Sequence, residues 1–322
     1  MRGQAAVGVI GGSGLYEMEG LQSVREIRVR TPFGSPSDAI IVGVIGGVRV
    51  AFLSRHGRGH RLNPGEINYR ANIYALKSLG VSRVISVSAV GSMKESIKPG
   101  DVVCPDQFID LTKRRASTFF EGGMVAHVAF GEPVCAGLLD ILASSGQRLG
   151  ATLHRGGAYL CIEGPQFSTK GESKLYRQWG VDVIGMTNMP EAKLAREAEL
   201  CYATMALATD YDCWHETEEA VTVEAILDTL HRNVALAKRI LQAVLPSVAD
   251  TQDCACHQTA LEDAITVSPS NVPPAMIHLE LGRVYYKLGY TERAREALKK
   301  VTTVDKGGEY AAAATELLAR LK

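Results

Sequence analysis

The sequence predicts an α/β fold, a sheet covered by helices on both faces, followed by a small all-helical extension. Three observations predict it. Short β-branched apolar runs alternate with segments of helical spacing, the pattern of a sheet packed on both sides. Glycine turns close the apolar runs. After about residue 268 the strand-like runs stop, and prolines 269, 273 and 274 lead into purely helical spacing. The expected division is therefore 1–268 for the main domain and 269–322 for the extension.

Val7-Gly-Val-Ile10 is a β-branched run that ends in Gly11-Gly-Ser-Gly14, a strand feeding a glycine turn. Ala39–Val44 and Val48–Ser54 read as strands joined at Gly46-Gly47, a hairpin turn. Asn68–Leu79 carries apolar residues at 71, 75, 76 and 79, a helical spacing that stops at Gly80. Val84–Ser88, Ala158–Ile162 and Val181–Met186 read as strands, and Glu191–Tyr202 and Val223–Leu245 as helices. Leu200–Thr209 is an apolar run that ends at Asp210. In the extension, Leu281-Gly282, Tyr285, Leu288-Gly289-Tyr290, Ala294 and Ala297 fit one tetratricopeptide-like helix pair, and Tyr310–Leu321 fits a further helix. One such repeat has no second copy to stack on. It is expected to dock locally or to recruit a protein partner through residues 270–322.

The chain has 322 residues, 46% hydrophobic and 22% charged, which suits a globular domain with a sizeable core. Lys+Arg and Asp+Glu are both 35, so the chain exerts no general pull on nucleic acid or an anionic membrane. Any anion site must be local. No apolar run approaches the roughly 18 residues of a membrane span, and the N-terminus lacks a signal pattern, so a cytoplasmic location is expected. The seven cysteines are scattered and mostly lie in apolar runs, as reduced buried cysteines do. Cys254-Ala-Cys256-His257 is the exception. A metal site there needs a fourth ligand, and none lies nearby in sequence at a familiar spacing. A local disulfide or a helix-flanking pair is expected instead, and no metal.

Four segments carry candidate chemistry. Gly11-Gly-Ser13-Gly14 follows a strand and can cradle phosphate through backbone N–H groups. It is not a dinucleotide fingerprint, because Glu17 stands where the third glycine belongs. Arg55-His56-Gly-Arg58 follows an apolar strand and offers forked and ring donors suited to phosphate oxygens. Ser88 and Ser92 flank Ala89-Val-Gly91 at the end of a buried strand, where ligands sit in open α/β sheets. Asp210 and Asp212 stand at the end of an apolar run. A carboxyl there acts as a proton donor if burial raises its pKa, or is a plain helix cap or turn.

Together with Thr31-Pro-Phe-Gly34, Asn68-Tyr-x-Ala-Asn72, Ile162-Glu-Gly-Pro-Gln-Phe-Ser168, Met186-Thr187 and Thr209-Asp-Tyr-Asp-Cys-Trp214, these segments resemble the trimeric purine nucleoside phosphorylase family, in its 5′-methylthioadenosine branch. The resemblance runs from about residue 7 to about residue 268. It implies a mixed central sheet flanked by helices and a reaction in which phosphate attacks C1′ of a purine nucleoside. No metal or organic cofactor is implied; inorganic phosphate is a co-substrate. By position, the resemblance assigns phosphate to Ser13, Arg55, His56, Ser88, the Ala89 backbone N–H and Thr187. It places Met186 against the ribose, Phe167 against the base, Asp210 at N7 and Asp212 at the exocyclic edge. His127 matches a residue contributed by a neighbouring subunit, which implies a homo-oligomer, a trimer or a dimer of trimers.

Relatives that act on inosine and guanosine carry Glu at the position of Ser168, Asn at that of Asp210 and His at that of Val223. The residues present here imply 5′-methylthioadenosine, with Val223 and Ile226 forming an apolar seat for the thiomethyl group. Adenosine is then a poorer substrate, since apolar pockets discriminate by about 1–3 kcal/mol per methylene. Gly185 and Asn188 depart from the animal enzymes. An Asn188 amide within reach of N7 or a 6-oxo group leaves methylthioinosine and other 6-oxopurine nucleosides as the alternative substrates. The Cys-x-Cys pair resembles that of heat-stable archaeal members, in which it can form a disulfide.

Overall fold

In the computed structural model the described residues are 3–12, 15, 17–121, 125–215, 223–250, 254, 256, 260–261, 274–287 and 289–321. They fall into two compact units, one built from 1–117 and 130–258 and the other from 118–129 and 259–322. The boundary expected between 268 and 269 lies outside the described residues.

The first unit carries a mixed sheet of eleven strands among the described residues. β1 (Val7–Gly11) is central and pairs in parallel with β4 (Val48–Ser54) and β5 (Arg83–Ser92). The β3 (Ile40–Ile45) to β4 hairpin turns at Gly46 and Gly47, whose φ angles of 55° and 82° are what a two-residue hairpin turn demands. β2 (Gln22–Ile27) completes that edge. On the other side lie β10 (Val183–Gly185), β9 (Ala158–Cys161) and β7 (Gln107–Asp110). β11 (Cys201–Tyr211) runs parallel to the whole of β5, then β6 (Val102–Cys104) and β8 (Leu153–Arg155) follow.

Helices cover both faces. α1 (Tyr69–Ser78) packs with α4 (Asn188–Glu197), and α2 (Ala136–Arg148) with α5 (Val223–Asp250). α3 (Lys170–Gln178) starts at a capping box between Thr169 and Glu172. The period-2 alternation of β1 explains the layering. Val7 and Val9 join the core shared with Leu139, Met205, Ile240 and Val244. Gly8 faces the other way, and a side chain there would meet Leu76 of α1 at 3.2 Å.

Two expectations are corrected. The helix expected over Glu191–Tyr202 ends at Glu197, and Cys201 begins β11. Glu199 takes a left-handed φ of 50° and turns the chain out of the helix. The apolar run to Thr209 is a strand, buried without interruption from Cys201 to Thr209 because neighbouring strands and helices cover both of its faces. The helix expected to stop at Leu245 continues through Pro246 to Asp250. Core packing of Val244, Leu245 and Val248 holds that last segment.

In the second unit, α6 (Pro274–Lys287), α7 (Thr291–Val304) and α8 (Glu309–Arg320) pack around Leu279, Ala294, Leu298, Val301 and Ala314. Gly282 lets α6 and α7 approach, since a side chain there would overlap Leu298. This unit is a three-helix cluster among its described residues.

Candidate active site

The pairing of β5 creates the site. Along one edge β5 pairs with β1 over Arg83–Ser86, then with β10 at Gly91–Ser92. Val87–Val90 pair with neither, so the sheet parts at the carboxyl end of β1. That is the crevice in which open α/β sheets bind ligands. Ala89 is the single exposed residue of an otherwise covered strand, as expected of a backbone position at the crevice mouth.

Three strand ends converge here. Ser88 is nearly buried and donates from Oγ to Asn188 Oδ1 at 3.2 Å. Thr187 follows β10 and occupies the N-cap of α4 without a side-chain capping bond. From β11 comes Asp210. A bulge between Ala208 and Asp210 shifts the register, so that Asp210 rather than Thr209 pairs with Gly91. Thr209 Oγ1 donates to Asp210 Oδ2 at 2.7 Å. Gly91 is needed below these acids: a Cβ there would lie 3.3 Å from Asp210 Oδ1 and 3.5 Å from Asp212 Cβ. Trp214 anchors the following turn, donating from Nε1 to Ser92 O at 2.8 Å while the Arg177 guanidinium stacks on its ring. Ser88, Ala89, Thr187, Asp210 and Asp212 are thus brought together.

Arg55 behaves differently from the expectation. Its fork meets a carboxylate and not an open anion site. Nε and Nη2 reach Glu191 Oε2 and Oε1 at 2.9 and 3.1 Å, Nη2 also reaches Ser86 Oγ at 2.6 Å, and Nη1 reaches Val87 O at 2.9 Å. A guanidinium has five N–H donors, and with a further contact from Nη2 to Ile10 O at 3.3 Å most of them are engaged inside the protein. Glu191 is fully buried and also accepts from Ser86 Oγ at 2.8 Å and Tyr202 OH at 2.9 Å. Burial pulls the Arg55 pKa down, and the adjoining Glu191 charge and hydrogen bonds more than offset it, so Arg55 stays charged. This network ties β4, β5, β11 and α4 together directly beneath the crevice.

His56 donates from Nδ1 to Leu62 O at 2.8 Å and stacks on His60. Burial, with Arg55 nearby, lowers its pKa to about 4. At neutral pH the ring is uncharged, and Nε2 carries a lone pair where a donor was expected. The sign of the stability effect follows. Between about pH 6.5 and pH 4 the unfolded chain binds the proton and the folded chain does not. The stabilisation is complete above that window and is lost as pH falls through it. His56→Asn, which keeps an N–H for Leu62, is expected to lose less unfolding free energy than wild type between pH 7.5 and pH 5 in urea titrations. An equal loss in both proteins refutes this role.

Asn188 is also corrected. It is fully buried, accepting from Ser88 and donating from Nδ2 to Thr204 Oγ1. Both ends of its amide are spent between β5 and β11, so it does not reach a base. The other departure, Gly185, makes room for Tyr159, whose hydroxyl lies where a Cβ would be.

The loop after β9 brings Phe167, 84% exposed, and Ser168, whose Oγ is buried with no hydrogen-bond partner among the described residues. Cys213 donates from Sγ to Ser168 O, linking this loop to the acid-bearing turn. Met186 sits against Gly164 of the same loop. Sequence reasoning missed Arg115, which is buried and gathers the carbonyls of Met186 and Met189 at 2.6 and 2.7 Å and that of Glu163 at 2.5 Å. One guanidinium therefore holds both loops. Glu191 was missed because an acid in the first turn of a helix is the ordinary surface pattern. A signal for Arg115 existed only in the run Lys113-Arg-Arg115. His127 is exposed and belongs to the second unit. Ser13 and the side chains of Val223 and Ile226 lie outside the described residues.

The fold and crevice define an open α/β enzyme, with Ser88, Ala89 and Thr187 at parted strand ends and the carboxyl groups of Asp210 and Asp212 at the end of the neighbouring strand. Residues 6–246 match the model of the phosphorylase superfamily, and the chain belongs to that family. It is 59% identical over 271 residues to the S-methyl-5′-thioadenosine phosphorylase of Geobacter sulfurreducens, covering 84% of this chain and 94% of that protein. The enzyme of the same name from Gloeobacter violaceus is 56% identical over 277 residues, covering 84% and 92%. A crystal structure of methylthioadenosine phosphorylase from an Antarctic soil metagenomic library superposes with a TM-score of 0.79 at 51% identity, covering 83% of this chain and 94% of that one. The Schistosoma mansoni methylthioadenosine phosphorylase in complex with adenine gives 0.74 at 33%, covering 81% and 99%.

Proposed function

We propose that this chain cleaves 5′-methylthioadenosine with inorganic phosphate to adenine and 5-methylthioribose 1-phosphate, as the names of its relatives suggest. The observation that supports the reading is the parted edge of β5, with Ser88, Ala89 and Thr187 at the parting and a β11 bulge that sets Asp210 beside Gly91; in this reading Ser88, Ala89 and Thr187 hold the phosphate. Phosphate attacks C1′ as the bond to the purine breaks. Positive charge develops on the ribose and electron density flows into the base. The bound phosphate stabilises the first, and Asp210, facing N7, the second. Asp212 meets the exocyclic amino edge, Phe167 and Met186 enclose base and ribose, and Ser168 completes the pocket. Ser13 joins the phosphate donors. His56 Nε2 accepts from a protonated phosphate oxygen. Val223 and Ile226 seat the thiomethyl group. The chemistry draws on no metal or organic cofactor.

His127 of a neighbouring copy completes the site in a homotrimer, and the three-helix unit is tetratricopeptide-like. A cytoplasmic setting fits a salvage reaction of this kind.

A substrate panel tests the reading. Purified protein with phosphate is expected to release adenine from methylthioadenosine with at least tenfold higher kcat/KM than the base from adenosine, methylthioinosine or inosine. The inward-turned Asn188 removes the specific argument for 6-oxopurines. Preferred turnover of methylthioinosine overturns the assignment.

A further inference from the structure

Sequence spacing offers two thiols of a metal site, and the fold supplies two more. Cys135 is the N-cap of α2, Cys201 opens β11, and Cys254 and Cys256 follow the end of α5. Their four sulfur atoms all lie within 4.8 Å of one another, and Cys135 Sγ and Cys254 Sγ are 3.5 Å apart. All four are free thiols. Cys135 and Cys201 are buried, and Cys254 and Cys256 pack half-buried on the same core.

We propose that these four thiolates form a structural zinc site. Tetrahedral zinc with Zn–S bonds of about 2.3 Å places its sulfurs about 3.8 Å apart, so this cluster closes on the ion with sulfur movements of about 1 Å. Four protein thiolates leave no open position for water, which makes the role structural. Soft sulfur ligands select zinc over magnesium or calcium. The N-terminus of α2, with its partial positive charge, offsets part of the negative charge of a tetrathiolate centre. The site is separate from the crevice. Cys201 pairs with Arg83 at the start of β5, whereas Asp210 pairs with Gly91, roughly 25 Å along the strand. Zinc there ties the chain leaving α5 to α2 and β11. Sequence spacing alone does not show the site, because Cys135 and Cys201 arrive through tertiary packing.

Full-length protein, purified anaerobically under reductant and stripped with chelator, is titrated with Co²⁺ as a spectroscopic probe and then with Zn²⁺. One equivalent of cobalt per chain is expected to give the visible bands of a tetrahedral tetrathiolate and a sulfur-to-cobalt charge-transfer band. One equivalent of zinc is expected to abolish both and raise Tm. The Cys254→Ser, Cys256→Ser variant is expected to lose the cobalt spectrum and the zinc-dependent rise in Tm while keeping the wild-type kcat. A reduced wild-type chain that takes up no stoichiometric metal overturns the proposal, as does a variant that binds cobalt like wild type. Two disulfides and no metal in protein isolated from cells without reductant also overturn it. The wild-type titration decides even where the variant fails to fold.

Discussion

Asp210→Asn is expected to lower kcat/KM for methylthioadenosine by about 10²–10⁴-fold, the usual contribution of a placed general acid, while leaving the KM for phosphate nearly unchanged. Asp210 rises from a bulge that re-aims it over Gly91, and Thr209 Oγ1 holds Oδ2 at 2.7 Å, so the carboxyl is oriented before any substrate arrives. Asparagine keeps the shape and donates a hydrogen bond, but it cannot deliver a proton to N7 as the purine leaves. The loss should therefore fall on kcat. Relative turnover of 6-oxopurine nucleosides should rise, since an asparagine amide can donate to a 6-oxo group and a carboxylate cannot. Steady-state kinetics on methylthioadenosine and methylthioinosine check both parts. A variant with wild-type kcat refutes the role of Asp210.

The largest loss of stability is expected from Glu191→Gln. The carboxylate is fully buried and receives four hydrogen bonds, two from Arg55 and one each from Ser86 and Tyr202. Removing one charge of such a pair leaves the other buried and uncompensated, at a cost of about 3–5 kcal/mol. In a chain of this size that lowers Tm by roughly 10 °C. Because the network lies beneath Val87 and Ser88, the KM for phosphate should also rise, with a smaller effect on kcat at saturating phosphate. Thermal unfolding and phosphate titrations measure the two effects. Unchanged Tm and unchanged KM together exclude the anchoring role. Arg55 and Glu191 are in direct contact, so their single losses should not add in the double variant.

Much of the fold was legible along the chain. The β1 run, the Gly46-Gly47 hairpin and the α1 pattern announce themselves because each depends on neighbours in sequence. Helix α1 shows how local that is: Asn68 caps it by accepting from Ala71 N, as its position before the apolar pattern suggests. Legibility failed where a segment's environment is set from afar. The alanine-rich run of β11 became a strand only because β5 and β6 flank it and helices cover it. Arg55 was recognised as important, yet its partner Glu191 lies 136 residues away, so the sequence did not show that most of its donors were already spent. Asn188 looked available for a base until Ser88 and Thr204 closed on it.

The sequence by itself determined the fold class and the family, and it marked the segments that meet at the strand ends. Each of these rests on short-range periodicity or on motifs read in order. Tertiary structure alone decided that Arg55 turns its fork to Glu191, that Arg115 ties two loops together, and that four distant cysteines meet. Those outcomes depend on strand pairing and core packing between residues far apart in the chain, and local spacing holds no record of them.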